Sequence, residues 1–502
     1  MSPNMPPKEA GSPLKSSPPL CPPSSNEPPS YAAHGAQQPY PVQPYFAQYP
    51  YFYTPDQIQP PRRRSPIRRF CTAVGWAVAI WLLLASLIQS VILVAQFNTI
   101  SEELPADEDF PIPPELERVR CVWGDQHSGQ IPLKASYKQI LRAPLTFPFK
   151  REEKFELPIE SDALFFLSRG VYSGGVVKIK TSDKHDDVAR VKVRLEYLQP
   201  GGPKIAKVCQ FKRDDGGNGI GVFTPFHARY PRHHNLKFFI TIKLPKSNSS
   251  DLLHIKRLET DLPNFTHLLG DLGKAGIFLE DVSLRGANGG IIAGSLLAQK
   301  GLIETSNGPV VVHLTSLGPF EVTSRNGAIQ GAFNATGSLI LRTSHDRIKG
   351  PVFLNTDDSG SASLELTTKD SIIDTDVRLQ TDSTGGDFEI VATTSNSPLR
   401  VRIREAPLDS KLSLNAKSSN SPVDVVLHPA FEGDFEVSTV HFWPSVSVNS
   451  AARDPSGGGR VRDVQVSRNK NHVSGSVSWS DEGKGRGRVD VKTTNSPAVL
   501  RL

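Results

Sequence analysis

The chain has 502 residues, a formal net charge of +6 at pH 7 and a sequence pI of about 9.0. Its basic residues beyond Arg118 are scattered among acidic ones, without the clustering on one element that a phosphate-tracking surface needs, which argues against nucleic acid as a partner. The length suffices for a large core, but composition changes along the chain, which indicates segments of different character.

Residues 1–70 form a segment rich in proline and tyrosine, with few aliphatic side chains. It cannot bury enough apolar surface to offset the entropy of ordering, so a disordered cytoplasmic tail is predicted. Within it, Pro28, Pro29 and Tyr31 form a PPxY motif, which WW domains bind as a polyproline helix; a chance match is the alternative. The segment ends in a cluster of five arginines, namely Arg62, Arg63, Arg64, Arg68 and Arg69.

Residues 71–97 contain no charged side chain. A helix of that length spans roughly 40 Å, more than the ~30 Å hydrocarbon core of a bilayer, so a transmembrane helix is predicted. A buried core helix would be shorter, and a cleaved signal peptide would not follow so long a segment. Because arginines precede the helix and an acidic linker follows it over residues 98–117, a type II signal anchor is predicted, in the plasma membrane or secretory pathway.

Residues 118–245 alternate apolar and polar side chains, as in Val176–Thr181, which predicts an antiparallel, β-sandwich-like region. Two cysteines follow the predicted membrane helix, Cys121 and Cys209, and either form a disulfide in an oxidising compartment or remain buried thiols. Three N-x-S/T sequons also follow the helix and are predicted glycosylation sites, at Asn248, Asn264 and Asn334.

Residues 246–445 show a repeat in which Asn-Gly pairs recur every 19 residues, at Asn288, Asn307 and Asn326, with Asp346 as the next predicted corner. Two short strands and two turns in about twenty residues predict a β-solenoid of about eight coils with a ladder of stacked asparagines. Asn and Gly are expected to supply left-handed corner conformations. A β-meander is the alternative, because Asn-Gly also favours hairpins. A C-terminal β cap is predicted for residues 446–502.

The stretches Phe238–Pro245 and Leu252–Asp261, followed by short strands with Asn-Gly corners, resemble the adhesin-type β-solenoid domain of many bacterial surface proteins. The whole layout of tail, arginine cluster, anchor and β domain resembles fungal single-pass membrane proteins that carry a related domain. The resemblance implies a solenoid over about residues 235–445. It implies no catalytic residues.

Candidate chemical motifs are few. Asp374 and Asp376 match the D-x-D of glycosyltransferases, but that motif needs an α/β nucleotide-binding fold, so a solvated turn is predicted. Four other aspartates lack the full spacing of a calcium loop, namely Asp214, Asp215, Asp357 and Asp358. No catalytic, cofactor or metal site is therefore predicted. Three alternating arginines are candidate contacts to sugars or acidic polymers, with a solvated strand face as the alternative: Arg400, Arg402 and Arg404.

These features together predict a membrane-anchored surface protein whose solenoid binds, displays or scaffolds without catalysis. The expected partners are a cell-wall glycan or a surface protein outside and a WW-domain protein in the cytoplasm. The alternative is a carbohydrate-active enzyme of the secretory pathway or cell wall, because stacked side chains on a β-helix can also build an active site.

Overall fold

The computed structural model describes residues 66–99, 107–124, 147–184, 186–198, 202–226, 235–246 and 251–502. The chain divides into two units, Met1–Phe97 and Asn98–Leu502. Several predictions lie outside the described residues. These are the disorder of the tail, the PPxY motif at Pro28, Pro29 and Tyr31, the side chains of the arginine cluster, and the sequon at Asn248.

The described residues of the first unit belong to one helix, α1 (Pro66–Thr99), whose last two residues lie beyond the boundary at Phe97. Its stretch Val74–Val91 has a mean hydropathy of 1.9 and is long and apolar enough to cross a membrane. Its apolar side chains are exposed, Trp76 by 68% and Trp81 by 67%, unlike those of a core helix in a soluble domain. The predicted apolar helix is thus confirmed, and its composition suits a membrane anchor or a signal sequence.

The second unit is built from strands, as predicted. The first strands are β1 (Glu117–Val122), β2 (Phe149–Pro158), β3 (Leu164–Arg169), β4 (Gly174–Thr181), β5 (Val188–Tyr197), β6 (Lys207–Lys212), β7 (Asn218–Phe223), β8 (Leu236–Leu244), β9 (Leu253–Asp261), β10 (Asn264–Asp271), β11 (Ile277–Arg285) and β12 (Ile291–Thr305). Short 3-10 turns occupy Asp107–Asp109, Gly202–Ile205 and Asp481–Gly483.

The remaining strands are shorter and evenly spaced. They are β13 (Val310–Ser316), β14 (Phe320–Ser324), β15 (Ile329–Thr336), β16 (Ser338–Thr343), β17 (Ile348–Asn355), β18 (Ser361–Thr367), β19 (Ile373–Gln380), β20 (Asp387–Thr394), β21 (Leu399–Glu405), β22 (Lys411–Ser418), β23 (Val423–Val426), β24 (Gly433–Ser438), β25 (Ser445–Ser447), β26 (Asp463–Asn469), β27 (His472–Ser478), β28 (Gly487–Thr493) and β29 (Ala498–Arg501).

The strands stack into two columns, and each coil contributes one strand to each column. In the first column β10, the start of β12, β13, β15, β17, β19, β21 and β23 pair in parallel, in that order. In the second column β9, β11, the end of β12, β14, β16, β18, β20 and β22 do the same. This is the predicted β-solenoid, and the parallel pairing excludes the meander, whose neighbouring strands are antiparallel.

The interior lies between the two columns. Strand side chains alternate, so that in β15 Ile329, Phe333 and Ala335 are buried while Asn334 and Thr336 are exposed. Each fully buried Val, Leu, Ile, Phe or Met side chain stabilises the fold by about 1.5–3 kcal/mol. The period-two pattern therefore fixes which face of every strand points inward.

The solenoid extends further towards the N-terminus than the predicted boundary at residue 246. Strands β3 and β4 pair in parallel with β9 and β10, and β7 and β8 pair in parallel with β3 and β4. Among the strands described in this region, only the outermost pair antiparallel: β5 and β2 lie beyond β8, and β6 and β1 lie beyond β7. The predicted sandwich-like region is therefore two more coils closed by antiparallel edge strands. Charged side chains along β2 protect that edge from pairing with another chain.

A disulfide joins Cys121 to Cys209, which face each other in register on β1 and β6. Beneath it, Phe165, Phe211 and Phe223 form a small apolar cluster separate from the main core. The bond therefore fastens the edge strand β1 over this cluster.

The C-terminal end differs from the predicted cap over residues 446–502. Strands β28 and β29 lie between the coil of β22 and β23 and the coil of β24 and β25. The chain therefore forms the outer strands β24–β27 first. It then returns as β28 and β29, which form the coil between those outer strands and the coil of β22 and β23. Only β27 and β26 continue the second column antiparallel and form its outer edge.

Candidate functional site

One edge of the solenoid carries the predicted ladder of asparagines. Asn288 donates to Asn264 over 2.7 Å, Asn307 to Asn288 over 2.8 Å and Asn326 to Asn307 over 2.7 Å. Further along, Asn420 donates to Asn396 and Asn495 donates to Asn420, each over 2.7 Å. Because each bond joins neighbouring coils, the ladder fixes their register.

The prediction that Asp346 continues this ladder is wrong, because His345 occupies that place. His345 Nδ1 lies 3.0 Å from Asp370 Oδ2, and Asn396 donates to the other oxygen of Asp370 over 2.6 Å. The bond from Asn396, followed by that from His345, holds the pKa of Asp370 below its ordinary value although partial desolvation opposes the shift. Here both neighbours of a carboxylate donate to it, whereas Asn288, Asn307 and Asn420 each donate to one neighbour and accept from the other.

The corner glycines allow close packing between neighbouring coils. The expectation that they adopt a left-handed backbone conformation is wrong. A Cβ on Gly308 would lie 2.1 Å from the carbonyl oxygen of Gly289, and one on Gly327 would lie 2.0 Å from that of Gly308. Neither glycine has a positive φ. The preceding Ser or Thr hydroxyl donates to a corner carbonyl of the adjacent coil, for example Thr343 Oγ1 to Gly327 over 3.1 Å.

The opposite edge, where the strands of the first column end, varies in length. Between β13 and β14 the connection is residues 317–319, and between β15 and β16 it is residue 337 alone. After β17, β19 and β21 the connections are longer, at residues 356–360, 381–386 and 406–410. Insertions in a repeat protein map to loops on one face, which is often its binding face. We refer to these three connections as the inserted loops.

The inserted loops enclose a cleft of about 450 Å³ at this edge. Its lining includes the strand ends Asn355, Gln380 and Glu405 and the loop residues Thr381, Asp382 and Pro407. Asp382 is exposed and makes no ion pair with a described residue, whereas Glu405 lies 3.4 Å from Arg378. Amides, carboxylates and hydroxyls around a small apolar surface form the kind of lining that binds a polar ligand in a fixed orientation.

Hydrogen bonds between neighbouring loops shape the cleft. The Ser383 amide donates to Asp358 Oδ1 over 2.8 Å, and the Ser383 hydroxyl donates to Asp358 Oδ2. The hydroxyl bond, followed by the amide bond, lowers the pKa of Asp358. Asp358 thus joins two inserted loops. Among the described residues no group of three or more His, Cys, Asp or Glu could hold a metal ion.

The alternating arginines and the D-x-D aspartates meet each other on adjacent strands. Arg402 Nη2 lies 2.7 Å from Asp374, its Nε contacts Asp376, and Arg404 Nε lies 3.1 Å from Asp376. Only Arg400 of the three arginines is exposed without a partner among the described residues. The prediction of a solvated turn at Asp374 and Asp376 is wrong, because both lie on β19, where they engage Arg402. Sequence spacing alone could not indicate these ion pairs.

Comparison with known proteins gives faint structural likenesses. No protein-family model matches the chain, and no curated protein matches it. It is similar to a Bacteroides fragilis protein described as a "putative adhesin", at 13% identity over 55% of this chain and 98% of that chain, with a TM-score of 0.26. A Clostridium sporogenes protein described as a "putative cell adhesion protein" is 8% identical over 70% of this chain and 99% of that chain, with a TM-score of 0.15. Likenesses this low carry no argument about function.

Proposed function

We propose that the chain is a membrane-anchored surface protein whose solenoid binds and displays a polar polymer, without catalysis. The observation that carries this proposal is the cleft between the inserted loops, since the loops are built onto an otherwise regular scaffold. A rigid solenoid supports such loops without having to change its core.

A glycan of the cell wall or of a neighbouring surface is the partner that the lining favours. The side chains of Asn355, Gln380 and Asp382 offer both donors and acceptors to hydroxyl groups, and Pro407 offers an apolar surface. Repetition of weak contacts along a polymer supplies avidity that one cleft need not provide.

A glycan array with the full-length chain in detergent or nanodiscs tests this proposal. Replacing Gln380 and Asp382 together with alanine should weaken binding at least about tenfold, since a lost hydrogen bond to a charged group costs about 1.5–3 kcal/mol. The matched control is Glu389→Ala, which removes an exposed carboxylate from the other column. Equal binding by both variants would contradict the cleft, and glycan turnover abolished by a single Asp substitution would favour the carbohydrate-active enzyme instead.

The topology of this proposal is that of a type II signal anchor, with α1 in the membrane and the solenoid outside the cell or in the lumen. The tail would then be cytoplasmic, where a WW-domain protein could reach Pro28, Pro29 and Tyr31. In sealed vesicles, protease should remove residues 1–61 only when the cytoplasmic face is accessible. Removal of the tail from the outer surface of intact cells would contradict this orientation.

A further inference from the structure

Asn334 and Phe353 lie side by side on the outer face of the first column. They are register partners on the neighbouring parallel strands β15 and β17. Asn334 is exposed and begins the sequon Asn334-Ala335-Thr336, while Phe353 is half-buried and points outward between the inward Val352 and Leu354. A group attached to Asn334 would therefore emerge directly beside an aromatic ring.

The amide of Asn334 is already oriented. Asn355 Nδ2 donates to Asn334 Oδ1, so the oxygen is engaged, and Asn334 Nδ2 donates to no described residue. An asparagine linked to a sugar keeps its Oδ1 as an acceptor and carries the sugar on Nδ2. Modification of Asn334 thus leaves the bond from Asn355 intact.

The ring of Phe353 has apolar neighbours on the outer face along the strand direction. Two residues earlier on β15 and β17, Ala332 and Pro351 also face outward and carry no charge. On the next strand of the column, the Arg378 guanidinium lies 5.1 Å from the centroid of the ring. Phe353 is therefore flanked by the sequon asparagine on one neighbouring strand and by a charged side chain on the other.

We propose that Asn334 carries an N-linked glycan whose first N-acetylglucosamine packs against Phe353. The apolar C–H face of a pyranose ring suits an aromatic surface. In the transfer, Asn334 Nδ2 attacks C1 of a lipid-pyrophosphate-linked oligosaccharide, the C1–O bond to pyrophosphate breaks, and the nitrogen loses one proton. The inference rests on the proposed placement of the solenoid in the secretory pathway.

Asn264 provides a matched comparison within the same chain. It is also an exposed sequon asparagine, and its Oδ1 also accepts a bond from the next coil, here from Asn288. The residue opposite it on β4 is Gly174, which has no side chain on which a sugar could pack. A glycan at Asn264 should therefore extend into solvent.

The experiment uses the full-length chain from a eukaryotic secretory host. Mass spectrometry of glycopeptides measures occupancy at both sequons, and thermal unfolding compares three forms: intact glycan, glycan trimmed to one sugar, and no glycan through Thr336→Ala. Each form is made with Phe353 and with Phe353→Ala. We expect the trimmed form to unfold with the intact one, and the form without glycan to unfold about 1–3 °C lower only when Phe353 is present. Thr266→Ala, which removes the sequon at Asn264, should show no such dependence.

The outcomes separate the inference from the proposed function. Occupancy at Asn264 with Asn334 empty, or a glycan at Asn334 whose removal has the same effect with and without Phe353, would overturn the inference alone. Absence of glycan from both sites would overturn the inference together with the proposed membrane orientation.

Discussion

The coils that contain β13–β16 and the coils that contain β17–β22 are built on the same plan and differ along one edge. In both regions, inward and outward side chains alternate along each strand, and a polar ladder joins the corners. The corner interval is 19 residues between Asn307 and Asn326, but 26 between Asp370 and Asn396. The added residues lie in the inserted loops and in the longer strands that they join.

On the outer face of the first column the two regions also differ. The region around Val311 and Ala332 is uncharged, whereas Asp374, Asp376 and Arg402 form an ion network on the coils that follow. The interior and the ladder edge therefore maintain the fold. The loop edge and the outer faces can vary, and they can bind a ligand, carry a glycan or form a charge network. Such a division is expected of a repeat protein in which each coil contacts only its neighbours.

The first prediction concerns deletions that preserve or disrupt the two-column arrangement, and it has the largest expected effect on folding. Deleting residues 307–325 removes β13 and β14, one strand from each column, and should leave a cooperatively folding domain. Deleting residues 307–318 removes β13 alone, so that β12 is followed directly by another strand of the second column, and the protein should not fold. Circular dichroism and thermal unfolding measure both. Equal damage from the two deletions would contradict the independence of the columns.

The second prediction asks whether the interior controls stability, through His267 on β10. His267 is buried with its Nε2 3.0 Å from Thr260 Oγ1, and burial lowers its pKa from 6.5 to about 4. Between those pH values the unfolded chain binds a proton that the folded chain does not. The free energy of unfolding should therefore fall by up to about 3 kcal/mol from pH 6.5 to pH 4 and then level off.

Denaturant unfolding of the wild type and His267→Gln across that pH range measures this effect. The variant should lose most of the slope, while the control His313→Gln, which changes an exposed histidine on β13, should retain it. A smaller slope should remain because burial also lowers the pKa of His428. An unchanged slope in His267→Gln would show that the interior histidine does not cause the pH dependence.

The regular coils could be predicted from sequence because their corners repeat a local chemical requirement. In Asn307-Gly308 and Asn326-Gly327, the Asn joins the ladder and the Gly packs against the corner carbonyl oxygen of the preceding coil. Because this pair recurs, the period is visible in the sequence. The ladder position at His345 was missed because a different side chain meets the same hydrogen-bonding need. The longer interval between Asp370 and Asn396 is present in the sequence, but spacing alone does not show at which edge of the coil the added residues lie.

The two ends and the charge network could not be predicted because they depend on which segments meet in space. At the N-terminal end, β7 and β8 lie outside β3 and β4, and at the C-terminal end the last strands return beneath earlier ones. Neither end has Asn-Gly corners at a fixed period to mark its coils. Arg402 and Asp376 are 26 residues apart, and only the stacking of β19 and β21 brings them together.

The third prediction tests the charge network of the longer coils. Arg402→Leu should lower the free energy of unfolding by about 1–2 kcal/mol, because it leaves two neighbouring carboxylates without their shared guanidinium. Arg400→Leu, on the same strand and exposed, should change it by less than about 0.5 kcal/mol. Denaturant titration at pH 7 measures both values. Similar losses in the two variants would contradict a stabilising role for the ion pairs of Arg402.

The network also predicts a difference on acidification. Desolvation raises the pKa of Asp376, but the bonds from Arg402 and Arg404 outweigh it and hold that pKa below its ordinary value. The stability contributed by this group is present above its unfolded pKa and is lost as pH falls through the folded pKa. In Arg402→Leu the remaining part should therefore be lost at a higher pH than in the wild type.

The fourth prediction, which has the smallest expected effect, compares the ladder in the two regions. Asn307 donates to Asn288 and accepts from Asn326, so Asn307→Ala removes two exposed bonds and should cost about 0.5–1 kcal/mol. Asn307→Asp should cost at least as much at pH 7, because a carboxylate then faces the acceptor oxygen of Asn288 and cannot donate to it. Its protonated form can donate, so the loss should shrink on acidification below about pH 4.

Asp370 tolerates its charge because both neighbours donate to it, so Asp370→Asn should respond in the opposite sense, with its largest loss of stability at pH 7. Denaturant titrations of the three variants at pH 7 and pH 3.5 measure these differences, and the same pH response at positions 307 and 370 would contradict a ladder whose donor direction changes at Asp370.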